Sequence, residues 1–158
     1  MTGKYYSVDM ADCVQVLRDL EPKMKAAAIA HWGYDPYDIS CTGRVWGYQD
    51  LLYLQGRVPL PLINTLRKAR GLWILGLAED QIVTKALDSL HVITPSRPLA
   101  EAFDVVMKDR TGKRTYASTL DADNDKIWDY KELAEIGRSI GLHPGMDFGD
   151  MPHFEVIA

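Results

Sequence analysis

The hydrophobic pattern of this 158-residue chain changes in character at His91, and that change limits the folds it can adopt. Before His91, apolar residues recur every three or four positions, as over residues 10–20, which is typical of one face of a helix. After it, the segments 102–107 and 113–117 flank a polar turn at 109–112 and are typical of a β-hairpin. The pattern therefore predicts an α+β fold with helices early and strands late.

Prolines and glycines divide the helical part into segments. Pro22 is predicted to stop the first helix or to open the next, and Gly33 to end it before a loop over residues 34–38. Further helices, the second of them interrupted by glycines, are predicted over residues 44–56, 62–90 and 128–140. A short final strand is predicted over 154–157. Because no internal repeat or low-complexity linker is present, we expect one domain over residues 1–158.

Length and charge exclude several classes of protein. A chain of this size buries roughly 68–70% of the surface that it exposes when unfolded, so its core needs no disulfide. Cys13 and Cys41 are therefore predicted to be reduced structural thiols. Eighteen basic against 22 acidic side chains give a net charge of −4, which argues against binding to nucleic acid phosphates. No apolar run reaches the length of a membrane span or resembles a secretory signal. We therefore expect a soluble protein made in the cytoplasm, without nucleic acid or membrane partners.

Three dispersed residues have the chemistry of metal ligands. Mononuclear catalytic zinc sites use three protein ligands, usually imidazole nitrogens with or without a carboxylate oxygen, and keep one position for water. His91, Asp104 and His153 form such a set by residue type. Residues so far apart form no local motif, and a lone histidine is more often structural, so residue type alone leaves both interpretations open.

The sequence around these residues resembles a known family. Ser-x-His at 89–91, Ala-x-Asp at 102–104 and Asp-x-x-His-Phe-Glu at 150–155 are similar to motifs of the zinc peptidases of bacterial cell walls. That family comprises the D-alanyl-D-alanine carboxypeptidases and dipeptidases and the L-alanyl-D-glutamate endopeptidases found among phage endolysins, and the chain resembles the endopeptidases above all.

Other blocks extend the resemblance over about residues 44–156. One helix of that family contains an arginine, a glutamine and the run Leu-Tyr-Ala-Gln-Gly-Arg. Arg44, Gln49 and the run Leu-Tyr-Leu-Gln-Gly-Arg at 52–57 are similar to it. The segment 82–86 resembles the approach to its first histidine, and Trp128-Asp129 resembles the approach to its last helix. The blocks occur in the family's order.

The resemblance implies one Zn²⁺ ion per chain with three ligands: His91, Asp104 and His153. It implies that Asp150 is the general base and that Arg44 is a cation facing the scissile carbonyl. It further implies that Ser89 and Gln49 bind substrate. Glu155 is expected to be structural or to orient a ligand histidine through its free ring nitrogen. The implied fold is that of the Hedgehog and D-alanyl-D-alanine peptidase proteins, in which helices pack on a small antiparallel sheet that carries the zinc.

Two segments are longer than the family's usual pattern. Twelve residues, 92–103, separate His91 from Asp104, where the family usually has six. Asp104 can reach the metal if the segment 94–98 loops outward, and closing a loop that is a few residues longer costs well under about 1 kcal/mol. The segment between Arg57 and Ile82 is also longer, and it is predicted to form an extra helix lining the substrate groove.

Together these inferences predict a zinc peptidase of the peptidoglycan stem peptide, an L-alanyl-D-glutamate endopeptidase acting in phage-driven host-cell lysis. A D-alanyl-D-alanine carboxypeptidase or dipeptidase is the alternative among enzymes, and a metal-bearing wall-binding module without hydrolysis is the alternative outside them. We expect a monomer without a separate wall-binding module. It would be made in the host cytoplasm without a signal peptide and act on peptidoglycan after release.

A second acidic pattern is present near the last helix. Asp121, Asp123 and Asp125 alternate like the first ligands of a calcium loop. Lys126 occupies the sixth position, where such loops have glycine, and this favours a solvated turn.

Overall fold

Four helices accompany an antiparallel sheet in a computed structural model that describes residues 5–156. The helices are α1 (Gln15–Trp32), α2 (Trp46–Leu54), α3 (Leu60–Ala69) and α4 (Asp129–Ser139). The strands are β1 (Tyr37–Cys41), β2 (Arg44–Val45), β3 (Val92–Ile93), β4 (Ala102–Lys108), β5 (Arg114–Thr115), β6 (His143–Pro144) and β7 (His153–Glu155). Short 3-10 helices cover Met10–Asp12 and Gly145–Phe148. These elements confirm the predicted α+β class.

The longest strand, β4, organises the sheet. Its neighbours are β1 on one side and β7 on the other, β6 continues the sheet beyond β7, and β5 pairs with the end of β4. β2 and β3 form a separate parallel pair. Val105, Val106 and Met107 of β4 are all buried, as expected for a central strand that is covered on both faces. The backbone of β4 is therefore fixed between two neighbouring strands, and its side chains project from the sheet at fixed positions.

Helix α1 packs on this sheet through one stripe of side chains. Leu17, Met24, Ala28 and Trp32 are buried and recur with helical spacing. The helix continues through Pro22, where a break was predicted. Pro22 is exposed, so the hydrogen bond that proline removes is lost on the solvent side of α1, while the buried stripe holds the helix on both sides.

Several predicted boundaries are wrong in instructive ways. The predicted loop over 34–38 contains the start of β1, and the helix predicted over 62–90 is formed only over Leu60–Ala69, the rest of that segment being irregular. Helix α3 is the extra helix predicted between Arg57 and Ile82, but none of its residues lines the groove described below.

The hairpin is confirmed as β4 and β5, with Gly112 in its turn at φ 82°. The strand predicted over 154–157 is observed as β7, which ends at Glu155. Val156 follows β7, and Ile157 lies outside the described residues.

Two further structural observations bear on the sequence predictions. Cys13 and Cys41 are free and buried, as predicted. Within residues 5–156, no helix has both the length and the hydropathy that crossing a bilayer requires.

The ion pairs of Lys108, at the end of β4, predict that the protein becomes less stable in acid. Its ammonium lies 2.9 Å from a carboxylate oxygen of both Asp35 and Asp38. Partial burial acts against the charged carboxylates, but Lys108, together with Lys25 at Asp35 and Arg114 at Asp38, outweighs it and lowers the pKa of both. Because the folded pKa lies below the unfolded one, this stabilisation is present at neutral pH and is lost as pH falls through the acid range.

We expect Lys108→Met to reduce the difference in unfolding free energy between pH 7 and pH 3 by less than about 1 kcal/mol, since both carboxylates are partly exposed. Urea titrations at the two pH values measure this difference. An unchanged difference would show that Lys108 does not hold these carboxylates.

Candidate metal centre

Three adjacent strands bring polar side chains into one row across the sheet. Asp104 in the middle of β4 pairs with Cys41 of β1 on one side and with His153 of β7 on the other. Directly opposed residues of an antiparallel pair project from the same face with their Cβ atoms about 4.5–5.5 Å apart. The sheet register therefore brings residues 41, 104 and 153 together, although they are far apart in sequence. The register of β1 shifts between Ile39 and Cys41, a bulge of the kind that re-aims a side chain.

His91 approaches this row from outside the main sheet. It immediately precedes β3, and its carbonyl accepts a hydrogen bond from the amide of Arg44 in β2. The imidazole is almost fully buried, and its Nδ1 lies 2.7 Å from the carbonyl oxygen of Thr42. A carbonyl can only accept, so Nδ1 carries the hydrogen and donates it. In the neutral ring this leaves Nε2 with a lone pair, directed at Asp104.

His153 is oriented in the corresponding way by a carboxylate. Its Nε2 lies 2.9 Å from Oε2 of Glu155, and the other oxygen of Glu155 lies 2.9 Å from Nδ1 of His143. When Nε2 donates to Glu155, the lone pair of His153 is on Nδ1, which faces Asp104. A carboxylate behind a ligand histidine is a recurrent feature of zinc sites, because it fixes the tautomer and raises the basicity of the ring. This is the orienting role predicted for Glu155.

The resulting three atoms form a nearly equilateral triangle. His91 Nε2 and Asp104 Oδ1 are 3.0 Å apart, His91 Nε2 and His153 Nδ1 are 3.1 Å apart, and Asp104 Oδ1 and His153 Nδ1 are 3.2 Å apart. Tetrahedral zinc with bonds of about 2.0–2.1 Å places its ligand atoms about 3.3 Å from one another. Three lone-pair acceptors at this spacing repel one another unless a cation or a proton lies among them. The residues therefore fit a metal ion by both spacing and chemistry.

The electrostatics of the triangle favour a positive charge there. Burial acts against the anion, but His91, His153 and Arg44 together hold the pKa of Asp104 well below its usual range. Burial likewise acts against the charged form of His91, yet Asp104 raises the pKa of that histidine to about 9. Without a metal ion, a proton on His91 compensates the buried carboxylate. A bound metal ion would take the place of that proton.

Cys41 adds a possible ligand that the sequence analysis treated as structural. One ligand atom from each of three buried or nearly buried residues, Cys41, His91 and Asp104, lies within 4.8 Å of the other two, so this group could hold a metal ion. The sulfur of Cys41 also accepts a hydrogen bond from Nε of Arg44 at 3.1 Å. Its signal in the sequence was weak, because a single cysteine without a nearby second ligand is usually a core residue.

The guanidinium of Arg44 is engaged on all sides within the protein. NH2 lies 2.6 Å from Oδ2 of Asp104, NH1 lies 3.2 Å from Oε1 of Gln49, and Nε contacts Cys41. Asp104 thus offers Oδ1 to the triangle while Arg44 holds Oδ2. Arg44 does line the groove, so it remains near the site predicted for it, and the observed contacts make it a positioning residue for Asp104.

Gln49 does not line the groove. Its side chain is fully buried, and Nε2 donates to the carbonyl of Ala86 at 2.7 Å while Oε1 accepts from Arg44. The substrate contact predicted for Gln49 is therefore not available, and the residue instead links Arg44 to the segment that leads to His91. Ser89 lies at the groove, and its hydroxyl accepts a hydrogen bond from the amide of His91 at 3.3 Å.

Asp150 lines the same groove as the triangle. It precedes His153 in a turn in which the amide of His153 donates to the carbonyl of Asp150, and the amide of Asp150 donates to that of Gly145. A Cβ at Gly145 would lie 2.3 Å from the Asp150 carbonyl oxygen and 2.6 Å from the Cβ of His153, so only glycine allows this close approach. The side chain of Asp150 is exposed to the groove. Loss of surrounding water and repulsion by Asp104 raise its pKa, which suits a group that accepts a proton.

These residues line one open groove of about 710 Å³. Its wall includes all of the predicted site residues except Gln49, together with the exposed side chains of Lys85, Tyr116 and Phe148. The volume is within the range of sites that accept small ligands or short peptides. Comparison with protein-family models and with curated proteins finds no match to this chain, so the chemistry of the site rests on its own residues.

Proposed function

We propose that this protein is a zinc-dependent peptidase that hydrolyses the peptidoglycan stem peptide. The observation that carries the proposal is the triangle of His91 Nε2, Asp104 Oδ1 and His153 Nδ1, with sides of 3.0–3.2 Å, opening on a groove beside Asp150. The motifs around these residues resemble those of the cell-wall zinc peptidases, and this resemblance supports the choice of substrate. We assign the finer fold to the same Hedgehog and D-alanyl-D-alanine peptidase type.

In the proposed reaction, His91, Asp104 and His153 would hold one Zn²⁺ ion. Zinc at such a site polarises a carbonyl group and lowers the pKa of water to about 7. Asp150 takes a proton from the attacking water onto its carboxylate and then transfers it to the amine nitrogen as the peptide bond breaks. The products are one carboxylic acid and one amine, and Asp150 is returned to its ionised form.

The remaining residues hold this arrangement in place. Arg44 keeps Oδ2 of Asp104 occupied, so that Oδ1 alone is presented to the metal. Glu155 orients His153, and the carbonyl of Thr42 orients His91. Ligands that are fixed in this way need no rearrangement during the reaction. Such preorganisation of charges and dipoles is the main source of electrostatic catalysis.

The groove also supports an acidic peptide substrate. Lys85 lines it with an exposed side chain, and the stem peptide contains D-glutamate, whose free carboxylate a cation would attract. Among the peptidoglycan peptidases, we therefore assign the L-alanyl-D-glutamate endopeptidase activity, acting in host-cell lysis by a phage. Hydrolysis of a terminal D-alanyl-D-alanine bond is the alternative reaction.

A specific observation favours one further alternative. If the sulfur of Cys41 joined the three other ligands, the metal would have four protein ligands, and a closed site of this kind is structural rather than catalytic. The protein would then bind the wall without cutting it. Arg44 donates to the Cys41 sulfur, and this hydrogen bond competes with metal binding by the thiolate.

Digestion of purified peptidoglycan separates these possibilities. We expect the zinc-loaded protein to release stem peptides with a free D-glutamate amino group, detected by mass spectrometry, and the metal-free protein to release none. Addition of zinc should restore activity. Loss of terminal D-alanine alone would assign the carboxypeptidase reaction, and wall binding without product would assign a binding module. Equal product from the metal-free protein would contradict zinc dependence.

A further inference from the structure

A second group of acidic side chains lies outside the groove, at the start of α4. In the twelve residues from 121 to 132, acids occupy positions 1, 3, 5, 9 and 12: Asp121, Asp123, Asp125, Asp129 and Glu132. Calcium loops of the EF-hand type take ligands from these positions and from the backbone carbonyl at position 7. Position 7 here is Ile127. Glu132 stands at position 12, where calcium loops of this type have a glutamate.

The structure brings these carboxylates together. One oxygen each from Asp121, Asp123 and Asp129 lie within 4.8 Å of one another, and a ligand atom of Glu132 lies equally close to one of Asp123. Calcium binds oxygen at about 2.3–2.6 Å, so ligands on opposite sides of one ion are about 4.6–5.2 Å apart. The spacing of Asp121, Asp123 and Asp129 therefore suits ligands of a single ion, and Glu132 lies next to this group through Asp123.

Glu132 supplies an independent indication that a cation belongs here. Its side chain is only 10% exposed, and Oε1 lies 2.6 Å from Nε2 of His31. Oε2 is buried and has no hydrogen-bond partner among the described residues. Burial, together with Asp125 and Asp123, raises the pKa of Glu132. An unpaired buried carboxylate oxygen is costly, and a metal ion bound to Oε2 would remove that cost.

The backbone of the loop already has the closed form that a bound ion requires. The amides of Asp125 and Lys126 each lie 3.1 Å from an oxygen of Asp121, and the amide of Ile127 lies 2.7 Å from Oδ1 of Asp125. Lys126 has φ 76°, the left-handed conformation for which calcium loops use glycine at the sixth position. Its side chain is exposed, so lysine strains the backbone there without blocking the site.

We propose that residues 121–132 bind one Ca²⁺ ion through the carboxylates of Asp121, Asp123, Asp129 and Glu132, at a site separate from the His91–Asp104–His153 centre. The ligand set consists of oxygen atoms, which suits a hard cation and distinguishes it from the nitrogen-containing centre in the groove. The ion links the loop after β5 to the first turn of α4. It acts by stabilising the folded protein, since a ligand that binds only the folded state shifts the unfolding equilibrium.

Calorimetric titration of the zinc-loaded protein with CaCl₂ tests this proposal. We expect one site per chain and a melting temperature that rises by about 5–10 °C at 100 times the dissociation constant. Glu132→Gln should weaken binding about tenfold or more, because it removes one of the anionic ligands. Glu135→Gln is the matched control, since Glu135 lies one turn later on α4 and is exposed. It should leave calcium affinity unchanged.

A stabilising second substitution guards against simple loss of folding. Lys126→Gly relieves the left-handed strain of the folded loop with and without the ion, so it should stabilise the protein and leave calcium affinity unchanged. In the Lys126→Gly background, Glu132→Gln should still weaken calcium binding about tenfold or more. Asp19→Asn should leave calcium binding unchanged, because Asp19 is an exposed carboxylate on α1 outside the loop. Absence of binding at millimolar CaCl₂ would overturn the proposal. Binding that Glu132→Gln leaves unaltered in either background would also overturn it, because the ion would then lie elsewhere.

Discussion

Asp104→Asn is expected to weaken zinc binding by at least about 100-fold, beyond the 10- to 100-fold typical of residues that only orient a ligand. The substitution removes the negative charge at one corner of the triangle and leaves the guanidinium of Arg44 without its carboxylate partner. Peptidoglycan hydrolysis should fall in parallel at limiting zinc. Dissociation constants from competition with a chelator provide the measurement.

The same substitution should destabilise the metal-free protein. Arg44 is nearly buried, and removing one partner of a buried ion pair typically costs about 3–5 kcal/mol. Asp19→Asn is a suitable control, because Asp19 is an exposed carboxylate on α1 that contacts only Gln15 among the described side chains. Zinc affinity equal to that of the unaltered protein would show that Asp104 is not a ligand.

Asp150→Asn is expected to lower turnover by about 10²- to 10⁴-fold, the usual contribution of a general base. The amide has nearly the shape of the carboxylate but cannot accept the proton of the attacking water. Asp150 does not belong to the ligand triangle, so the variant should retain one zinc ion per chain. Its turn depends on backbone contacts with Gly145 and His153 that the substitution does not touch.

Initial rates of product release and the zinc content of the same sample distinguish the possible outcomes for Asp150→Asn. A low rate with full zinc content supports a role for Asp150 in proton transfer. An unchanged rate with full zinc content would mean that another group accepts the proton. Asp19→Asn serves again as the control and should have the unaltered rate.

Local patterns in the sequence were sufficient to predict the helices with regular apolar stripes and the β4–β5 hairpin. They were insufficient where neighbours far along the chain decide the structure. Strand β1 was predicted as part of a loop because Pro36 and two aspartates lie at its start, yet pairing with β4 makes it a strand. The segment after Ala69 has apolar residues at helical spacing, but few of them find a core to pack against.

The candidate site was predicted through residue type and motif resemblance, and geometry adds what these could not supply. The long segment 92–103 does not keep Asp104 from His91, because β4 enters the sheet independently of loop length. Cys41 could not be identified, since its proximity depends on a bulge and on the register with Asp104. Gln49 was assigned to substrate because a motif does not tell a buried side chain from an exposed one.

The sheet order also determines when the metal centre can form during synthesis. Cys41, His91 and Asp104 leave the ribosome well before Asp150, which precedes strand β7, and before His153, which begins it. A nascent chain that ends before β7 lacks His153, and the side of β4 that pairs with Phe154 is uncovered. The triangle of His91, Asp104 and His153 therefore forms only when nearly the whole described chain has been made. If the proposed function is correct, an incomplete translation product would be inactive as a consequence of strand order, without any separate inhibitor.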